Sequence, residues 1–216
     1  NALGKPLVMR MNLNQQSSGA EWDTHKHIMG SLSPIADCGV HYVDVMCRMT
    51  ESKPVRVHAI GARLTDELPP RKINYGHLHV AFEDGSVGWY EAGWGPMMSE
   101  TASFVKDVVG PRGSATIAGN KDASSADIGA HTKTNSIRVH YSDLRADGQF
   151  AREDEILTTT SEPDHQGLCD LEQEFFLRAI RGEADTSAHI AAALSSLRIV
   201  LACETSFREG RSVDLA

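Results

Sequence analysis

The stretch Lys5–Gln15 constrains the fold of this chain more than any other. Leu7, Met9, Met11 and Leu13 occupy one set of alternate positions, and Val8, Arg10, Asn12 and Asn14 occupy the other. A period of two describes a strand with one apolar face and one polar face. The sheet that holds it therefore needs helices over one side and leaves the other side free for a ligand or a partner. The polar run Gln16–Gly19 ends the strand, and Glu21–Gly30, with Trp22, His25 and His27, reads as loop or short helix.

Turn chemistry sets the rest of the order. Ser33-Pro34 is a helix start, with serine as cap and proline in the first turn, and the helix should continue to Thr50, where Ser52-Lys53-Pro54 stops it. Val55–Leu64 is extended. Ile73–Phe82 and Ser86–Trp94 flank the hairpin turn Glu83-Asp84-Gly85, and Ala102–Val109 and Ser114–Ala118 flank Gly110-Pro111-Arg112-Gly113. Asn120–Asn135 has no period and reads as loop, Ser136–Tyr141 as a strand, and Ser142–Asp154 as an irregular edge. Two helices follow, Asp164–Arg181 and Ser187–Arg208, with a short strand within Ser212–Ala216. Hairpins followed by grouped helices give an α+β fold: an open, predominantly antiparallel sheet with helices packed on one face.

Length and charge narrow the function classes. At 216 residues, Leu3–Ala216 fits one large domain, and Asn1-Ala2 resembles a remnant of a cleaved tag. A net charge of −8 supplies no basic footprint for nucleic acid. No run approaches the ~18 uninterrupted apolar residues of a membrane span. Cys38, Cys47, Cys169 and Cys203 form no CxxC pair, which favours a reducing, cytoplasmic setting. No G-x-G-x-x-G opens a helix, so the chain carries no complete dinucleotide-binding domain of its own.

On the first helix, Asp37, His41, Asp44 and Arg48 recur at spacings of four, three and four among apolar neighbours, so they form one stripe. A carboxylate one turn before a histidine can orient an imidazole and stabilise its charged form, which suits a base working near neutral pH. The same stripe also reads as a solvated face: Asp37 complements the helix dipole, and Asp44 with Arg48 is an ordinary i, i+4 ion pair.

Ile35-Ala36-Asp37-Cys38-Gly39-Val40-His41-Tyr42-Val43-Asp44 resembles the D-x-G-x-H-x-x-D helix of the glucose-fructose oxidoreductase/inositol dehydrogenase (Gfo/Idh/MocA) family. Lys53–Val57, the Phe82–Gly88 hairpin, the Gly110–Ser114 turn, Phe175–Gly182 and Ser206–Val213 resemble later segments of that family in the same order. The resemblance implies the family's C-terminal domain, of the dihydrodipicolinate-reductase-like type, with the NAD(P)-binding Rossmann domain lying upstream of this chain. It further implies an NAD- or NADP-dependent oxidoreductase acting on a sugar, polyol or cyclitol, with His41 as acid/base and Asp37 as its support. The E-K-P lysine that completes the family's site does not occur here, and the isolated chain is expected to be inactive. Gly30-Ser31-Leu32-Ser33-Pro34 stands where the family often has a G-G-G run.

Substrate hydroxyls need polar side chains. Arg10, Asn12 and Asn14 offer them from one strand face, Trp22 and Trp94 could cover a sugar's C–H face, and His165 is a further candidate; each also reads as a loop, edge or interface residue. The open face should support a homo-oligomer, with Val87, Trp89 and Phe104 as interface apolars, and family members do associate through such sheets. Two alternatives stand beside the enzyme. One is a sugar-binding or oligomerisation module without turnover. The other is a cupin-like metal site on His77, His79 and Glu83, although Glu83 falls in a turn and no second ligand strand is evident.

Overall fold

A computed structural model describes residues 2–99, 106–117, 134, 136–159 and 161–215. Among the described residues nine strands form one sheet: β1 (Val8–Gln15), β2 (Pro54–Ala62), β3 (Tyr75–Phe82), β4 (Val87–Trp94), β5 (Lys106–Gly110), β6 (Gly113–Ile117), β7 (Ser136–Tyr141), β8 (Glu155–Thr158) and β9 (Val213–Asp214). Their order is β8-β7-β6-β5-β1-β4-β3-β2-β9. The helices of the described residues are α1 (Gly19–Met29), α2 (Pro34–Asp37), α3 (Gly39–Thr50), α4 (His165–Ile180) and α5 (Ser187–Glu209). The expected α+β sheet is therefore present.

One pairing differs from the expectation. β1 lies parallel to β4 and antiparallel to β5, which places the first strand in the middle of the sheet; every other pair is antiparallel. Parallel neighbours need a long crossover, and α1, α2, α3 and the β2–β3 hairpin together supply it. β8 is a strand at the sheet edge that the polar sequence around it concealed. The Ser142–Asp154 edge carries only an isolated bridge between Leu144 and Phe150. Asn1, Phe104 and nearly all of the Asn120–Asn135 loop lie outside the described residues.

Alternation in β1 works as its pattern demands. Met9, Met11 and Leu13 join Val57, Leu78, Val80 and Tyr90 in a core sealed by Val43 and Met46 of α3 and by Ile199, Val200 and Cys203 of α5. Glycines allow the helices to seat closely. A Cβ on Gly88 would lie 2.4 Å from the Met46 sulfur, and one on Gly39 would lie 3.2 Å from Cε1 of Tyr90. A second small core joins Trp22, Met29, Leu68 and Trp94. Of the two readings of Glu21–Gly30, loop or short helix, the structure shows the helix, α1. Its buried stripe is Trp22, His25 and Met29, and a histidine standing at an apolar position hides the period.

The expected single helix from Pro34 to Thr50 is two. Ser33 Oγ accepts from the Ala36 amide at 3.3 Å and starts the single turn of α2. The turn ends at Cys38, and α3 begins where Gly39 lies against the Tyr90 ring. α4 and α5 begin and end close to their sequence signals: the Asp164 carboxylate accepts from the Gly167 amide at 2.8 Å, and Gly210 closes α5 with φ +63°.

Candidate functional site

The geometry of α3 decides what His41 can do. Gly39, Val43, Met46 and Thr50 are the buried stripe of this helix. At about 100° per residue, His41 then points away from the sheet, and it is exposed. Asp37, at the end of α2, is half-buried. The break at Cys38 alters the expected pair: among the described residues no hydrogen bond joins Asp37 to His41. Asp37 Oδ2 instead lies 3.8 Å from the Cys38 thiol. Burial, and secondarily the Asp37 charge, pushes that thiol up to about 12, so Cys38 is an inert neutral neighbour.

Below His41 the wall is aromatic. Tyr42 stacks on Tyr90 with ring centroids 4.6 Å apart, and burial raises both phenols above their ordinary range. Lys106 of β5 holds its ammonium 5.5 Å from the centroid of Tyr42, and burial lowers its pKa. Tyr42 and Lys106 were not legible as site residues. Lys106 pairs in register with Met11 on the helix-covered face, whereas Asp107 pairs with Arg10 on the other, and only the assembled register separates them. His25 sits behind, stacked on Trp94 at 4.4 Å and bonded through Nδ1 to Ser17 Oγ at 2.9 Å. Burial lowers its pKa, with Glu21 and Asp37 opposing the shift.

The remaining stripe residues are structural. Asp44 accepts from Arg48 at 2.8 Å and from Ser196 Oγ at 3.3 Å. The latter contact ties α3 to α5.

Several sequence expectations are redistributed. Arg10, Asn12 and Asn14 lie on the face opposite to His41. Arg10 Nε bonds Asp107 at 2.9 Å and Asn14 Nδ2 bonds Glu91 at 3.0 Å, while Asn12 is buried. The pleat forces this: if Met9, Met11 and Leu13 face the helices, their neighbours cannot. Trp22 and Trp94 are buried, with the Trp22 indole donating to Glu67 at 3.2 Å, so their ring faces pack the second core rather than an open cleft. His165 is exposed at the start of α4, 3.8 Å from the Cys169 sulfur, on a helix that does not pack against α3. His41 is thus exposed on α3 and Asp37 half-buried on α2, with no hydrogen bond between them among the described residues, and the six other candidates lie elsewhere.

The cupin-like reading is corrected. His77 and His79 share the open face with ring centroids 5.4 Å apart. The residue opposite His77 is Glu91, however, and Glu83 lies in the turn beyond the strand. Among the described residues no group of three or more metal-binding side chains is assembled. The open face does carry a shallow cavity of about 380 Å³ beside Val8, Arg56, His58, His79, Val87 and Trp89, on the side of the sheet away from His41.

The family model for the oxidoreductase family's C-terminal α/β domain matches residues 1–215, so the chain belongs to the Gfo/Idh/MocA oxidoreductase family. No curated protein resembles it closely enough in sequence to count as a relative. Among solved structures it resembles a levoglucosan dehydrogenase complexed with NADH (18% identity, TM-score 0.72, 100% of this chain and 60% of that one). It also resembles an NAD-binding oxidoreductase from Klebsiella pneumoniae (16%, 0.70, 100% and 60%) and an aldose-aldose oxidoreductase from Caulobacter crescentus complexed with glycerol (18%, 0.70, 99% and 57%). The chain therefore spans about 60% of the length of these structures, and their remaining domain has no counterpart in it.

Proposed function

We propose that this chain is the substrate-binding and oligomerising domain of a cytoplasmic NAD(P)-dependent oxidoreductase, which moves a hydride between a sugar, polyol or cyclitol hydroxyl carbon and nicotinamide. The observation that carries the reading is the orientation of α3, which holds His41 in solvent on the outer side of the helices. Only an exposed imidazole can reach a substrate proton, and imidazole titrates in the range such a base requires.

In the oxidative direction His41 takes the hydroxyl proton as the adjacent C–H bond is broken. The nicotinamide, when bound, supplies the hydride acceptor. The break at Cys38 sets the Asp37 carboxylate on a separate turn from His41. Tyr42 and Lys106 form the wall behind His41, where a cation and an aromatic face can orient polar and C–H edges of a ring. No residue of this chain is assigned to hold the dinucleotide, because the chain carries no glycine-rich phosphate loop.

Arg10, Asn12 and Asn14 belong in this reading to the self-association face. Val8, Val87 and Val109 stand in register across β1, β4 and β5 and are all exposed there, beside the shallow cavity. An open sheet face with such a row is a natural two-fold contact.

The test is to express the longest polypeptide that contains this chain and to follow NAD(P)H formation over a panel of aldoses, anhydrosugars, polyols and cyclitols. Turnover on a member of the panel is expected. Sugar binding without cofactor reduction would favour the non-catalytic module.

A further inference from the structure

Three histidines gather on the open face of the sheet. His58 of β2 stands opposite His79 of β3, and His79 stands opposite Trp89 of β4. His77, two positions along β3 and therefore on the same face, stands opposite Glu91. The rings of His77 and His79 stack with centroids 5.4 Å apart, and His77 lies 6.4 Å from the Trp89 ring. His58 is half-buried, and its Nδ1 is enclosed without a hydrogen-bond partner. His58, His79 and Trp89 line the shallow cavity together with Val8 and Val87, two exposed members of the valine row.

The charges that face this cluster are tied to neighbours. On β2, Arg56 Nε donates to Asp214 of β9 at 2.7 Å. On β1, Arg10 Nε donates to Asp107 of β5 at 2.9 Å. On β4, Glu91 accepts from Asn14 at 3.0 Å and lies beside the Tyr75 hydroxyl of β3. Copies of a chain with net charge −8 repel one another in general. This face instead offers paired charges, valines and neutral imidazoles, so a second copy can meet it without that repulsion.

Proton uptake removes this advantage. Partial burial already holds His77 and His79 below the ordinary 6.5; Glu91 opposes the shift at His77, and the neighbouring histidines deepen it at His79. A two-fold contact over the face covers the cluster of each copy and withdraws it further from water, which disfavours the charged imidazole again. Separated copies therefore bind more protons than joined ones, and association weakens as the pH falls below about 6.5.

We propose that the His58, His77 and His79 cluster gates self-association of this chain: two copies join through the open face while the imidazoles are neutral and separate when they are protonated. The gate rests on the self-association reading of this face and not on the hydride chemistry. Histidine clusters within interfaces are a general means of building such a switch.

Sedimentation velocity of the longest polypeptide containing this chain tests the gate at pH 5.5 and 7.5, at constant ionic strength, with circular dichroism confirming the fold at each pH. The wild-type dissociation constant is expected to rise by about tenfold or more at pH 5.5, the change that one linked proton gives per pH unit. In H58Q/H77Q/H79Q it should change less than threefold, and V87R should abolish association at both pH values. Wild type equally associated at both pH values would overturn the gate and leave the self-association reading standing. Wild type monomeric throughout would overturn both. Association that survives V87R would place the contact on another surface and overturn the gate. An undiminished pH dependence in the triple variant would do the same. If that variant is misfolded or monomeric throughout, the single variants H77Q and H79Q decide: each should reduce the pH dependence, and an unchanged dependence in both would overturn the proposal.

Discussion

Gly88 marks the point where α3 touches the sheet, and replacing it tests the packing that aims His41. A Cβ at this position would lie 2.4 Å from the sulfur of Met46 and 3.4 Å from its terminal methyl. Met46 is itself fully buried, so its side chain has little free space into which to turn. Overpacking of this kind costs about 1–3 kcal/mol, offset by about 0.4–1 kcal/mol because alanine narrows the unfolded ensemble. Gly88→Ala should therefore destabilise the domain by about 1–2 kcal/mol, or roughly 2–4 °C in Tm per kcal/mol for a domain of this size. Met46→Ala alone should cost about 2–5 kcal/mol through the cavity it leaves. With the sulfur removed, Gly88→Ala should become neutral or mildly stabilising, so the double variant should be more stable than the sum by more than about 1 kcal/mol. Urea titrations of the four proteins, read at equal m-values, measure that coupling. Additivity within about 0.5 kcal/mol would mean that α3 does not rest on Gly88 and would refute the placement of His41 derived from it.

Three further outcomes follow from the same structure. Ser206 is fully buried; its hydroxyl accepts from the Ala59 amide at 2.9 Å and donates to the Arg211 carbonyl at 2.6 Å. Ser206→Ala should cost about 1–3 kcal/mol in chemical denaturation, because both backbone groups lose their partner. Burial depresses the pKa of His25, His77 and His79 from 6.5, so the unfolded chain binds more protons than the folded one in mildly acidic solution. Stability should be full above about pH 6.5 and should fall as the pH drops toward the lowered folded values; His25→Gln should flatten that slope in pH-dependent melts. Finally, the thiols of Cys38 and Cys203 are both pushed up to about 12 by burial. Maleimide at neutral pH should leave them unmodified in the folded chain and label them once it is unfolded.

The sequence carried those features whose cause is local. Alternation in β1, the Ser33-Pro34 helix start, the Glu83-Asp84-Gly85 turn and the Gly182 and Gly210 stops each depend on neighbouring residues, and each appears in the structure. Features set by distant partners were hidden. Nothing within Val8–Gln15 specifies that it runs parallel to Val87–Trp94, because that pairing depends on the whole crossover between them. Gly39, just after the break at Cys38, lies against the ring of Tyr90, some fifty residues away. The site shows the same division. The spacing of Asp37 and His41 was legible, whereas the exile of Arg10, Asn12 and Asn14 to the far side of the sheet required knowing which of two alternating faces the helices cover. Tyr42 and Lys106 meet only across the assembled register. His25 was obscured by its own type, as a polar residue doing apolar work against Trp94.

The most direct test of the central claim compares wild type with His41→Ala in the longest polypeptide containing this chain, using the sugar or polyol that turns over best. Pre-steady-state and steady-state rates across pH 5–9 should show kcat lower by about 10²–10⁴-fold in the variant, with loss of the ionisation that limits the wild type on its acidic side. NADH binding and Tm should remain close to wild type, since His41 is exposed. A variant that retains kcat within a few-fold, with the same acidic limb, would contradict the assignment of His41 as the acid/base.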